Sequence, residues 1–363
     1  MQGMKIPRAV SFLALAAGIL AARPGLAAID GASVERTAPG QISVHWKSPD
    51  PVDVFLAARP DTPIARARLA MRGDKDGTFQ ADWNDPARPY LILRDETDSQ
   101  VVRVAERLLT LDRGSNFRDV GGYPAADGRH VRWGLIYRTA AMPMLDDADY
   151  RYLNHLNLRE DVDLRSVEER QLAPDHVAER TGARYFAVDY PGSSIFGRLA
   201  SPATARTATM DIYREWPTSL AEQYREIFRA LLRHDGAVAY HCSAGQDRTG
   251  VATALVLIAL GVPRDVILQD YHLSTADRRP ENEIPPLRPG EYPGNVVADF
   301  YLKLQAAGIP MKARPLLDSQ GRPYLGYALD EIEAKWGSVE NYLDKVLGMD
   351  KAKIARLRAL YLE

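Results

Sequence analysis

The sequence predicts an α/β domain over residues 111–363, a central sheet flanked by helices, preceded by an all-β sandwich over 29–110 and a short leader over 1–28. Three observations predict it. Short runs of alternating apolar and polar residues fill 29–110, strand-like and helical segments alternate from Leu111 onward, and at 241–250 a buried strand runs into a helix through a glycine-containing turn.

The leader comes first. Lys5 and Arg8 precede an uncharged apolar run from Ala9 to Ala22, Pro24 and Gly25 break it, and Leu26-Ala27-Ala28 offers small residues for cleavage. That run is shorter than the ~20 residues of a membrane-spanning helix. An export signal, and with it a periplasmic or secreted protein, is therefore expected, with an uncleaved N-terminal anchor as the alternative. No later segment is apolar and long enough to span a bilayer.

Within the sandwich the strands are expected at 42–46, 52–56, 67–71, 79–83, 90–93 and 101–104. Turn signals separate them, among them Ser48-Pro49-Asp50-Pro51, Gly73-Asp74-Lys75-Asp76-Gly77 and Asn84-Asp85-Pro86. The segment resembles a fibronectin type III domain in this spacing. Trp46 and Trp83 are expected in its core.

In the α/β region, 134–137, 161–164, 183–188 and 237–240 read as short buried strands. A helix is expected over 146–156, capped at Asp146 or Asp147. An amphipathic one spans 219–232, with Leu220, Tyr224, Ile227, Phe228 and Leu231 on one face. An apolar helix over 251–260 ends at Gly261 and Pro263. Residues 278–294, rich in proline and charge, form a loop that either borders a cleft or merely connects. Helices near 296–307, 328–336, 338–347 and 350–362 complete the chain.

Composition narrows the function. A net charge of −2 gives no reason to expect nucleic-acid binding. The seven histidines show no metal-ligand spacing, and no cofactor motif is present. Cys242 is the one cysteine, so it cannot cross-link its own chain and is either inert or reactive.

Its neighbours favour reactive. His241-Cys242-Ser243-Ala244-Gly245-Gln246-Asp247-Arg248-Thr249-Gly250 lies where a strand ends and a helix begins. Unpaired N–H groups and the positive end of the helix dipole make such a turn an anion site. The stretch Ser243, Ala244, Gly245, Gln246 can wrap a phosphoryl group, with Gly245 permitting the turn and Arg248 gripping two oxygens in a fork. A cysteine near pKa 8.5 in water falls to roughly 3.5–7.5 in such surroundings, so a thiolate nucleophile is expected at Cys242. His241 would orient the loop, and Thr249 could donate a hydrogen bond to the departing sulfur.

The HCSAGQDRTG stretch resembles the signature of the protein tyrosine phosphatase superfamily. Asn116-Phe117-Arg118-Asp119-Val120-Gly121-Gly122-Tyr123, Tyr137-Arg138-Thr139 and Asp163-Leu164-Arg165-Ser166 are similar to the bacterial branch of secreted tyrosine phosphatases. The resemblance covers 111–363 and implies an α/β phosphatase domain. It further implies metal-free hydrolysis of phosphotyrosine through a phosphocysteine, acting on a phosphorylated protein or a small phosphomonoester. Where many members carry lysine, Gln246 stands here, which weakens a phosphoinositide or inositol polyphosphate substrate. For the general acid, the resemblance offers two aspartates. Asp189 lies where compact dual-specificity phosphatases carry theirs, and Asp247 lies within the loop as in the bacterial branch. An acid elsewhere, such as Asp163, is the further alternative, although Asp163 and Arg165 are expected to form a structural ion pair beneath the loop. An inactive phosphate-binding or adhesion protein is the reading from another class.

Overall fold

A computed structural model describes residues 29–38, 40–85, 87–199 and 205–363. The leader expected over 1–28 lies outside the described residues, among which no helix is long and apolar enough to cross a membrane.

Seven strands make up the N-terminal part: β1 Asp30–Ala38, β2 Gln41–Lys47, β3 Val52–Ala57, β4 Arg68–Asp74, β5 Thr78–Asp82, β6 Tyr90–Asp95 and β7 Val101–Ala105. They form two antiparallel sheets, β1-β2-β5 and β4-β3-β6-β7. Val34, Ile42, Val44 and Trp46 of the first sheet share one core with Val52, Val54, Leu91 and Leu93 of the second. Trp46 is buried there and Trp83 packs half-buried at its margin.

The second part begins with β8 Arg118–Asp119, β9 Ile136–Thr139, α1 Asp147–Asn154, β10 Leu158–Asp163, α2 Val167–Leu172, α3 Val177–Thr181 and β11 Arg184–Ala187. It continues through α4 Phe196–Leu199, α5 Ala205–Ser219, α6 Ala221–Arg233, β12 Ala237–His241, α7 Asp247–Leu260 and α8 Arg264–Asp277. Helices α9 Val296–Ala306, α10 Leu325–Trp336, α11 Val339–Lys345 and α12 Lys351–Tyr361 end it. The sheet order is β11-β10-β12-β9-β8, parallel except for the last pair. Ligands of such sheets bind at the carboxyl ends of the strands. Here β10 and β12 both end at the loop that starts with Cys242.

Helix α7 explains how that loop is held. Its side chains are buried almost all round, because α8, α10, α11 and α12 surround it. Gly261 ends it in the left-handed conformation, at φ 85°. The nearest fixed point of the loop is therefore a helix start anchored in the core.

The two parts share a buried seam. Arg88 of the sandwich pairs with Asp119 and donates to the Tyr137 hydroxyl at 3.3 Å. Trp133 packs into the sandwich core and donates from Nε1 to the Arg103 carbonyl at 2.9 Å.

Candidate active site

Between β12 and α7, the chain turns through Cys242 to Gln246. Gly245 has φ 63°, and a Cβ there would lie 2.5 Å from the Thr139 carbonyl oxygen. Only glycine fits both the conformation and the space.

The loop's carbonyls all face outward to donors. Ser243 O accepts from Ala141 N at 3.0 Å, Ala244 O from Asn116 Nδ2 at 3.0 Å, and Gly245 O from Arg138 Nη2 at 2.6 Å. The amides of Ser243 to Gln246 find no acceptor among the described residues. With carbonyls tied outward, those amides are left for an anion in the concavity.

Two charged layers brace the outside. Arg138 and Arg118, both fully buried, converge on Asp270, which accepts from Arg138 Nη1 at 2.5 Å and from the Tyr123 hydroxyl at 2.8 Å. Burial alone would raise the Asp270 carboxyl, but Arg138 and Arg118 outweigh it and hold the group down at about 2. Arg118 also holds Asn116, whose backbone sits at φ 56°, so the Asn-Phe-Arg-Asp segment presents its amide to the loop.

Arg248 lies one residue into α7 and is nearly buried. Its Nη1 donates to Glu169 Oε2 at 2.7 Å and to the Tyr190 hydroxyl at 2.7 Å, and its Nη2 donates to Glu169 Oε1 at 2.6 Å. This accounts for one edge of the guanidinium. The Nε–H and the second Nη2–H form the adjacent edge, a two-pronged donor for a phosphoryl group. Ser243 donates from Oγ to Glu169 Oε1 at 2.5 Å, so one carboxylate fixes both ends of the loop. Burial raises the Glu169 carboxyl, yet the Arg248 charge and these hydrogen bonds bring it below its ordinary value.

The remaining sequence-predicted residues are placed as follows. Cys242 is buried at the base of the loop. His241 Nδ1 lies 3.3 Å from the Cys242 carbonyl oxygen. The Thr249 hydroxyl is buried and has no hydrogen-bond partner among the described residues, the sulfur included. Gln246 is buried at the N-cap of α7 and accepts from Arg278. Asp247 starts α7 and accepts from the Tyr213 hydroxyl, which also bonds Tyr271 at 2.7 Å. Asp189 faces the other way: its carboxylate is 81 % exposed and pairs with Arg170, while the next residue, Tyr190, turns in to Arg248. Asp163 and Arg165 pair within the core at 2.7 Å, as expected.

Residues 278–294 border this site rather than merely connect. Arg278 reaches Gln246 and pairs with Glu283 at 2.5 Å, and Glu283 accepts from the Ser115 hydroxyl at 2.8 Å.

Sequence reasoning missed Glu169, Tyr190, Asp270 and Arg278. A signal existed for one of them. Ser166-x-x-Glu169 is a capping-box pattern, and both of its reciprocal hydrogen bonds are made at the start of α2. Nothing local announced that this glutamate also takes Arg248.

The sequence profile described as the tyrosine phosphatase family matches residues 109–363. A candidate tyrosine-protein phosphatase of Cupriavidus necator is 33 % identical over 267 residues, covering 70 % of this chain and 88 % of that protein. The tyrosine-protein phosphatase of Nostoc commune is 26 % identical over 65 % of this chain and 76 % of its own. The triple specificity protein phosphatase PtpB of Mycobacterium tuberculosis is 29 % identical over 68 % of this chain and 96 % of its own. With seven-tenths of its length matched by one profile, and that length containing the whole loop, the chain belongs to the tyrosine phosphatase family.

Proposed function

We propose that this protein hydrolyses phosphotyrosine monoesters, and phosphoserine and phosphothreonine more slowly, through a phosphocysteine on Cys242. The Cys242 sulfur attacks phosphorus in line while the bond from phosphorus to the leaving oxygen breaks. Asp247 gives its proton to that oxygen. Water then attacks the phosphocysteine, Asp247 takes the water's proton, and inorganic phosphate leaves as the thiolate returns; the Thr249 hydroxyl, which does not reach the sulfur, takes no part. Arg248 and the loop amides carry the charge that spreads over the three remaining oxygens. One observation supports this reading above the others: three successive loop carbonyls are tied outward while one edge of Arg248 stays uncommitted.

Asp247 is preferred to Asp189 as the acid because it belongs to the loop and is held by Tyr213, whereas Asp189 is exposed on Arg170. Asp247→Asn is expected to lower kcat on a phosphotyrosyl peptide by about 10²-fold or more, the usual scale of general acid catalysis. Asp189→Asn should change it by less than about tenfold on the same scale. The reverse pattern would transfer the role to Asp189.

The substrate class is proposed against a specific competitor. Arg278 is the cation nearest the Gln246 side chain, and Glu283 already balances its charge. The site thus offers little for further phosphates on an inositol ring. Side-by-side kcat/KM values on phosphotyrosyl and phosphoseryl peptides and inositol hexakisphosphate test this, and a clear preference for the inositol compound would overturn it.

We further propose that the N-terminal part is a fibronectin type III-like module and that the enzyme acts in the periplasm or outside the cell. The three-plus-four strand order supports the first and the leader pattern supports the second. Cell fractionation with N-terminal sequencing of the mature protein tests the location.

A further inference from the structure

Below the loop, on the face of the sheet away from the thiol chemistry, the topology gathers acids that the mechanism does not use. Asp161 and Asp163 alternate on β10, and Asp163 is in register with His241 of β12. Asp175, just before α3, closes the group from above. His241 Nε2 lies 3.5 Å from Asp161 Oδ1 and 3.5 Å from Asp175 Oδ2, and the three ligand atoms lie within 4.8 Å of one another.

These groups are buried without being satisfied. Both Asp161 oxygens, Asp175 Oδ2 and His241 Nε2 have no hydrogen-bond partner among the described residues, and the Asp161 and His241 side chains are fully buried. Asp163 is different, because Arg165 grips it through Nε and Nη2 and Tyr185 donates to it at 2.8 Å. Its charge is therefore already matched. The unmatched set is two carboxylates and one imidazole nitrogen.

The tautomer sharpens the conflict. A carbonyl only accepts, so the contact of His241 Nδ1 with Cys242 O puts a proton on Nδ1. In the neutral ring, Nε2 then turns a lone pair toward the carboxylates of Asp161 and Asp175 and, at 3.8 Å, toward that of Asp163. Lone pairs facing one another in a dry core cost several kcal/mol unless a proton or a cation lies between them, and burial together with the Asp175 and Asp163 charges pushes the Asp161 carboxyl well above its ordinary value when no cation is there.

We propose that Asp161, Asp175 and His241 bind one divalent cation of zinc type. Nitrogen and carboxylate ligands at about 2.0–2.2 Å in tetrahedral array stand roughly 3.4 Å apart, close to the two 3.5 Å separations of His241 Nε2 from Asp161 and Asp175. Two carboxylates and a neutral imidazole balance a charge of two. The outer contacts are also those of a metal site: Nδ1–H on a carbonyl fixes the His241 ring, and Val177 N donates to Asp175 Oδ1 at 2.7 Å. Such an ion ties β10, β12 and the approach to α3 together beneath Cys242. Its role is to hold the loop's first residue in place, and it takes no part in phosphoryl transfer. This inference does not depend on the reaction proposed above.

The test is elemental analysis of the desalted full-length protein, purified without chelators from zinc-supplemented cells. About one ion per chain is expected, retained in Cys242→Ser and lost in Asp175→Asn. Retention in Cys242→Ser separates this site from adventitious binding at the thiol. In protein stripped by chelator in mild urea, added Zn²⁺ should raise the melting temperature by roughly 5 °C or more, in Cys242→Ser as well. Less than about a tenth of an ion in the wild type with no such thermal shift would overturn the proposal, as would an ion that leaves with the Cys242 thiol. The wild-type measurements decide the matter even where Asp175→Asn fails to fold.

Discussion

Cys242→Ser is expected to lower turnover of p-nitrophenyl phosphate by at least about 10⁴-fold, a loss near 5.4 kcal/mol in transition-state stabilisation. Serine is close to cysteine in size, and the position is buried in a loop fixed by Ala141, Asn116, Arg138 and Glu169. The loop should therefore keep its shape. What changes is the nucleophile, since a hydroxyl stays protonated where a thiol ionises. The variant should accordingly still bind inorganic phosphate within a few-fold of wild type, as read by calorimetry. Turnover within tenfold of wild type would remove Cys242 from the mechanism, while loss of phosphate binding as well would point to a collapsed loop.

The largest effect on stability is expected at Asp270. Asp270→Asn keeps the shape and removes the charge, leaving Arg138 and Arg118 buried side by side. Breaking one partner of a buried ion pair typically costs about 3–5 kcal/mol. Arg118 already shows the tension: burial first, and the Arg138 charge second, depress its affinity for a proton. Among the described residues, Asp277 at 3.2 Å would be the carboxylate left pairing with it. The midpoint of urea unfolding reads the loss.

The effect carries a pH signature. Asp270 is held at about 2 in the folded protein against an ordinary 3.8. A depressed folded value stabilises the fold above the unfolded value, and that contribution fades as pH falls through the folded one. The gap between wild type and Asp270→Asn should thus be full at neutral pH and shrink between about pH 4 and pH 2. A gap that stays constant through this window would mean that Asp270 contributes through packing rather than charge.

The legible features were those whose cause is local in the chain. Gly245 and Gly261 marked the two ends of the strand–loop–helix unit because both need left-handed backbone, and Asp146 caps α1 through Ala148 N and Asp149 N. Elements with weak periodicity escaped. β1 buries little besides Val34, so its alternation is faint. α8 was hidden because Pro263 reads as a stop, yet Pro263 is also its N-cap, where a missing N–H costs nothing. Helix α7 begins at Asp247 rather than near 251, and Gly250 N already donates to the Gln246 carbonyl at 2.9 Å.

At the site, the anion loop could be read from ten consecutive residues, and its bracing could not. Glu169, Tyr190, Asp270 and Arg278 come from four separate elements and meet the loop only through the sheet topology. The same holds for Asp161, Asp175 and His241, whose spacing in sequence resembles no metal motif. Orphaned polar groups and tied-off carbonyls exist only once the chain is folded.

The central claim is that the Cys242 sulfur takes the phosphoryl group. Mass spectrometry of wild-type protein quenched in acid during steady turnover of p-nitrophenyl phosphate tests it most directly. A phosphoryl adduct confined to the peptide carrying Cys242, and missing from Cys242→Ser, is the expected result. Rapid turnover with no adduct on that peptide, or an adduct on another residue, would contradict it.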